Sequence, residues 1–191
     1  MNIGIISGSA RANNNTIRVA KAIQLLHQND MVKLVDFQGY DIPLINQGEI
    51  QLNNLSPFQT GLMSTMKHAD LLYIITPEYN WSTTPEILNW LHRYGERGMK
   101  ELFDEKVIAL VGVSTGKGGK APLLHLTGVL NKIVSFLNLN SFVSPRIFES
   151  HFTKEVLDAE GNSTGNAEYD NGLIAFVNYN IKMATRWKSN Q

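Results

Sequence analysis

Residues 71–80 read Leu71-Leu72-Tyr73-Ile74-Ile75-Thr76-Pro77-Glu78-Tyr79-Asn80, and this stretch decides the fold. Its first five residues form an apolar run that is too short for an ordinary helix and does not alternate with polar residues. Such a run reads as a strand covered on both faces, as in a parallel sheet. Ile3 to Ile6 and Val107 to Val113 have the same character, each closed by Gly, Ser or Thr. Met31 to Phe37 alternates more and reads as an edge strand. Asn140 to Ile147 is expected as a fifth strand, ended by Pro145.

Helical patterns fill the gaps. Thr16 to Gln28 carries Ile17, Val19, Ala20, Ile23, Leu25 and Leu26 at helical spacing, and Pro57 to His68 aligns Leu62, Met63 and Met66. Pro85 to Tyr94, Pro122 to Leu137 and Asn166 to Trp187 supply three more. Strands alternating with helices make βαβ units, and right-handed crossovers wind them into an open sheet with helices on both faces. The expectation is an α/β three-layer sandwich with a five-stranded parallel sheet in the order 2-1-3-4-5. One domain is expected over residues 1–191, with the polar 149–169 segment as a surface hairpin or loop inserted before the last helix.

Composition narrows the function. Of 191 residues, 43% are hydrophobic and 18% charged, as in ordinary globular chains. Seventeen basic residues balance seventeen acidic ones, so no net field favours nucleic acid or an anionic membrane. The chain has no cysteine, which removes disulfides, thiolate nucleophiles and cysteine-held metals and fits a reducing compartment. Its first residues lack the basic and apolar regions of a signal peptide, and no run is long enough to span a bilayer. A cytoplasmic protein without nucleic-acid or membrane partners is expected. The five histidines, at 27, 68, 92, 125 and 151, show no metal-ligand spacing, and no metal site is assigned.

In open α/β sheets, ligands sit beyond the carboxyl ends of the strands. The loop after the first strand, Ser7-Gly8-Ser9-Ala10-Arg11-Ala12-Asn13-Asn14-Asn15-Thr16, can offer backbone N–H groups, the Ser9, Asn14 and Thr16 side chains and the Arg11 guanidinium to a phosphate. Alternatively, Asn14 or Asn15 only caps the helix and Arg11 points to water. The loop matches neither GxGxxG nor GxxxxGK[ST], which favours a monophosphate over a dinucleotide or a triphosphate. After the third strand, Thr76-Pro77-Glu78-Tyr79-Asn80 forms a stiff ledge for a planar ligand, or simply a turn before a helix cap. Ser114-Thr115-Gly116-Lys117-Gly118-Gly119 follows the fourth strand and allows close backbone approach, or serves only as a connection. Its glycines look like a P-loop, but the spacing is short and Gly118 replaces the metal-binding hydroxyl residue.

Gly8-Ser9-Ala10-Arg11 with Thr16, then Thr76-Pro77-Glu78-Tyr79-Asn80, then the Ser114 to Gly119 loop, together resemble the NADPH-dependent FMN reductase family over roughly residues 1–145. The resemblance implies a flavodoxin-like fold that binds FMN and takes electrons from NADPH or NADH. It further implies a small-molecule acceptor such as a flavin, quinone or azo compound, and assembly as a homodimer or homotetramer. By matching position, Ser9, Arg11, Asn14, Asn15 and Thr16 would hold the FMN phosphate. Pro77, Glu78, Tyr79 and Asn80 would border the isoalloxazine ring, and Ser114, Thr115 and Gly116 would lie near its other edge.

This chain departs from the family at Trp81 to Arg93, where one residue is inserted and Arg93 replaces an acidic residue. Trp81 and Trp90 flank the expected pocket, as substrate-stacking residues or as core or interface anchors. Trp90, Leu91 and Phe103 are candidates for an apolar subunit interface. No side chain is assigned as catalytic, because a bound flavin carries the redox chemistry itself. The alternatives are an FMN-binding electron carrier or interaction protein without turnover, and a domain that binds another phosphorylated ligand.

Overall fold

The computed structural model describes residues 1–189. Its strands are β1 (Asn2–Ser7), β2 (Met31–Asp36), β3 (Leu71–Pro77), β4 (Val107–Val113), β5 (Phe142–Val143) and β6 (Phe148–Ser150). All pairings are parallel, in the order β2-β1-β3-β4-β5, with β6 also paired to β4. The helices are α1 (Asn15–Leu25), α2 (Pro57–His68), α3 (Pro85–Tyr94), α4 (Lys120–Leu137), the single turn α5 (Thr153–Val156) and α6 (Ala167–Lys188).

Strand periodicity sorts the core into two halves. Leu71, Tyr73 and Ile75 of β3 join Ile3 and Ile5 of β1 in a cluster with α1 and α6, while Leu72 and Ile74 face the opposite cluster. That second cluster takes Leu62 and Met66 from α2, Trp90 and Leu91 from α3, and Leu126 and Leu130 from α4. Every residue of β3 and β4 is buried, which explains their unbroken apolar runs. The order of β2, β1, β3, β4 and β5 agrees with the sequence reading. The helices start where local chemistry predicts. Ser56 Oγ accepts from Gln59 N ahead of Pro57, and Thr84 Oγ1 accepts from Ile87 N ahead of Pro85.

The far edge of the sheet requires a correction. The expected fifth strand over 140–147 pairs only at Phe142–Val143. Pro145 has no N–H to donate, and Ser144 Oγ accepts from Arg146 N, turning the chain out of the ladder. Pairing resumes when Phe148, Glu149 and Ser150 align with Val111, Gly112 and Val113, giving a sixth strand. Trp90, Leu91 and Phe103 are fully buried inside the chain and present nothing to a partner. Trp90 instead packs edge-on against Phe37, with ring centroids 5.4 Å apart.

Candidate functional site

The carboxyl ends of β1, β3 and β4 open into one cleft of about 400 Å³. Ser9, Arg11, Asn14 and Asn15 line it from the first loop, Pro77, Glu78 and Tyr79 from the second, and Ser114 and Thr115 from the third. Thr16, Asn80 and Gly116, which the sequence reading also placed at the site, do not line the cleft. Ala12, Asn13, Val113 and Lys154 line it without having been expected there.

The first loop is shaped chiefly by Asn14. Its Oδ1 caps α1 by accepting from Ile17 N at 2.8 Å and also accepts from Thr16 Oγ1 at 2.6 Å. Its Nδ2 donates to the carbonyl of Arg11 at 2.9 Å and to that of Ser9 at 3.3 Å. Thr16 is fully buried, within 2.9 Å of Ser7 Oγ, so its hydroxyl holds the loop from beneath. Because the Asn14 amide is occupied, the donors left to a ligand are backbone N–H groups and the outward side chains. The N–H groups of Asn13, Asn14, Asn15 and Thr16 have no acceptor among the described residues, and helix geometry gathers such groups at the start of α1. The buried Oδ1 of Asn15 also lacks a partner there. Arg11 places its guanidinium 4.5 Å from the centre of the Tyr79 ring, joining the first and second loops across the cleft.

The second loop ends in a tight turn. Tyr79 and Ser82 exchange both backbone hydrogen bonds at 2.9 Å, and the central residues Asn80 and Trp81 lie at φ 51° and 63°. Positive φ at both central positions defines a type I′ turn. Trp81 is 82% exposed at its tip, in contrast to buried Trp90. The two tryptophans that the sequence left as a pair thus separate into a core anchor and an exposed ring.

The third loop is clamped from two sides. Glu78 accepts from Gly119 N at 2.5 Å, tying the second loop to the third. Gly112 lies so close to Gly119 that an added Cβ would overlap the Gly119 carbonyl. On the other side, Ser114 N donates to Ser150 O, Phe152 N to Gly116 O, and Gly118 N to His151 Nδ1. Thr153 Oγ1 lies 3.2 Å from Ser114 O and 2.9 Å from Ser150 Oγ. Ser150 Oγ is in turn 3.0 Å from the Tyr169 hydroxyl, whose pKa burial pushes up to about 12. Residues 150–154, read from sequence as part of a polar loop, thus form the strap that holds the third loop. Beyond them, Leu157 and Ser163 form an antiparallel bridge that closes a short hairpin.

A larger cleft of about 600 Å³ borders the same loop at Lys117 and is otherwise walled by the 148–169 segment. It contains only one strand end, so its size does not make it the better candidate for the chemistry. In the smaller cleft, unpaired N–H groups, the start of α1 and Arg11 favour a phosphate, while the Pro77–Tyr79 ledge and the Val113–Thr115 wall suit a planar group joined to it. A phosphorylated flavin has these two parts. Among the described residues there is no cluster of three or more His, Asp or Glu side chains able to hold a metal, and no helix is long and apolar enough to cross a membrane.

The model of the NADPH-dependent FMN reductase family matches residues 1–148. An NAD(P)H-dependent FMN reductase of Pseudomonas aeruginosa is 28% identical over 157 residues, covering 82% of this chain and 80% of its own. A probable NADPH:quinone oxidoreductase of Oryza sativa subsp. japonica is 27% identical over 167 residues, covering 85% and 78%. Among solved structures, the flavoenzyme NAD(P)H:(acceptor) oxidoreductase of Paracoccus denitrificans superposes with a TM-score of 0.72 at 17% identity, covering 96% of this chain and 97% of its own. An archaeal flavodoxin superposes with a TM-score of 0.52 at 13% identity, covering 98% and 99%. These two superpositions establish the flavodoxin-like fold.

Proposed function

The chain belongs to the NADPH-dependent FMN reductase family, and from that premise we propose that the 400 Å³ cleft binds FMN and that NAD(P)H reduces a small acceptor there. The observation that carries the proposal is the meeting of three strand-end loops around unpaired N–H groups at the start of α1. Ser9, Arg11 and the backbone of Asn13 to Thr16 would hold the phosphate, with Asn14 and Thr16 fixing the loop. Pro77, Glu78 and Tyr79 would form the ring-side ledge, and Ser114 and Thr115 the opposing loop.

FMN, when bound, supplies the redox chemistry by passing an electron pair from NAD(P)H to the acceptor. The protein's own task is to bind, orient and exclude water. Arg11 neutralises charge while its plane packs on Tyr79, and Glu78 fixes the two ring-side loops relative to each other through Gly119 N. No side chain is required as nucleophile or proton donor. A quinone or second flavin suits a cleft walled by flat peptide groups and Tyr79. Cytoplasmic residence and a homodimer or homotetramer belong to the same reading, supported by the cysteine-free sequence and by exposed Leu44, Ile45 and Leu52.

The test is the visible spectrum of the purified protein after FMN is added and the excess removed by gel filtration. Retained flavin bands bleached by NADPH without oxygen, and restored by a quinone, are expected. Retained bands that NADPH cannot bleach would favour an electron carrier, and no retained flavin would exclude the cofactor.

A further inference from the structure

The cleft contains one cation that neither the sequence reading nor the family match covers. Lys154 lies in α5, six residues beyond the end of the matched segment at 148, and lines the same cleft as Asn13, Asn14 and Asn15. We propose that Lys154 is a second cationic ligand of the FMN phosphate, resting on the reading of this cleft as an FMN site.

The position of Lys154 follows from how α5 is held. Its neighbour Thr153 is fully buried, bonded to Ser114 O and Ser150, which fixes the first residue of the turn against the β4–α4 loop. At the other end, Arg18 Nη1 of α1 donates to Leu157 O at 3.1 Å. Lys21 Nζ, one turn further along α1, donates to Ala159 O at 3.1 Å. The turn is therefore stapled between α1 and the third loop, and Lys154 on it lines the cleft into which the start of α1 opens.

Charge accounting points to the same ligand. Lys154 is exposed and has no carboxylate within ion-pairing distance among the described residues, whereas Lys21 on the adjoining face of α1 does. Lys21 pairs with Glu160 at 2.7 Å, and Arg11 packs on Tyr79. A phosphate monoester at neutral pH carries close to two negative charges, so one guanidinium and a helix start leave part of that charge unmatched. An ammonium on a flexible stem can supply the remainder without a fixed geometry. Substrate phosphates on a pyridine nucleotide have the same chemistry, and a comparison of flavins separates the two sources.

The experiment titrates the apoprotein with FMN and, separately, with riboflavin, following flavin fluorescence, for the wild type, Lys154→Met and Lys154→Arg. FMN should bind the wild type more tightly than riboflavin. Lys154→Met should weaken FMN by about tenfold, the size of one charge-assisted contact, and leave riboflavin unchanged. Lys154→Arg should restore most of the loss, and the Met variant should show a shallower dependence of FMN affinity on salt. An unchanged FMN-to-riboflavin ratio in Lys154→Met, or an equal loss for both flavins, would overturn the assignment of Lys154 while leaving the FMN site intact. A raised KM for NADPH with unchanged FMN affinity would move the contact to the nucleotide and overturn it as well. A wild type that retains neither flavin would overturn the cleft reading and this inference with it.

Discussion

At the scale of single residues, Asn14 and Thr16 spend their polar groups on shaping the first loop of the cleft. Asn14 illustrates why sequence could name the loop but not divide its labour. An Asn two residues before Thr16 serves equally as cap or ligand until the hydrogen bonds are seen, and here its amide is taken by Ile17, Thr16, Arg11 and Ser9. Trp81 shows the opposite case, a residue whose backbone is less comfortable than its neighbours. The αL region costs an L-residue roughly 1–2 kcal/mol, and bulky side chains are rare there. Trp81→Gly removes that strain but adds chain entropy to the unfolded state, a cost of roughly 0.4–1 kcal/mol. The balance favours a variant more stable by up to about 1 kcal/mol, read as a higher urea midpoint at unchanged slope. A midpoint that falls would mean that the ring packs on something in solution, and a sedimentation run would show whether that is a second copy.

Among elements, four of the five long helices and the four long strands could be located from periodicity to within about two residues, because burial imposes a strict period on each. α1 is the exception and ends three residues early, at Leu25, leaving Leu25 and Leu26 half exposed. What sequence could not convey was the split fifth strand, since the pairing of Phe148 to Ser150 depends on where the chain re-enters the sheet after Pro145. The same limit hid Lys154, which reaches the cleft only because residues 150–154 bind the third loop. That loop also depends on the close approach of Gly112 and Gly119. Gly112→Ala places a methyl group on the Gly119 carbonyl, and backbone cannot retreat as a side-chain end can. We expect a loss of roughly 1–3 kcal/mol, as for overpacking, together with faster amide exchange over residues 114–119 and weaker FMN retention. Stability loss without faster exchange there would place the damage in β4 instead.

For the whole molecule, one buried histidine couples folding to pH. His27 joins three parts of the fold, with Nδ1 2.9 Å from Asp30 on the approach to β2 and Nε2 3.1 Å from the Tyr73 hydroxyl on β3. Ionised Asp30 can only accept, so Nδ1–H donates to it, and Nε2 of the neutral ring accepts from the Tyr73 hydroxyl. Burial lowers the pKa of His27 from 6.5, an effect that the hydrogen bond and charge of Asp30 only partly offset. The unfolded chain therefore binds a proton near pH 6.5 that the folded chain resists. This contribution to stability is complete above that pH and is lost as pH falls toward the lower folded value. Asp30 titrates below its ordinary 3.8, because the hydrogen bonds from His27 and the N-terminal ammonium outweigh its burial, and so it does not enter this window. The urea midpoint should drop between about pH 7.5 and about pH 5.5, and His27→Gln should flatten that slope even if its overall stability is lower. An unchanged slope would exclude His27 as its source.

The two rims of the sheet are also unequal in a way that bears on how copies of the chain meet. On one rim β2 alternates Lys33 and exposed Met31 with inward residues, and on the other Pro145 breaks the rim into runs of two and three residues. A strand from another molecule needs a long, flat, unpaired rim to add itself to, and a charged or interrupted one gives it little to template on. Strand addition at either rim is thereby discouraged, and any assembly of this chain is steered toward its helices and loops.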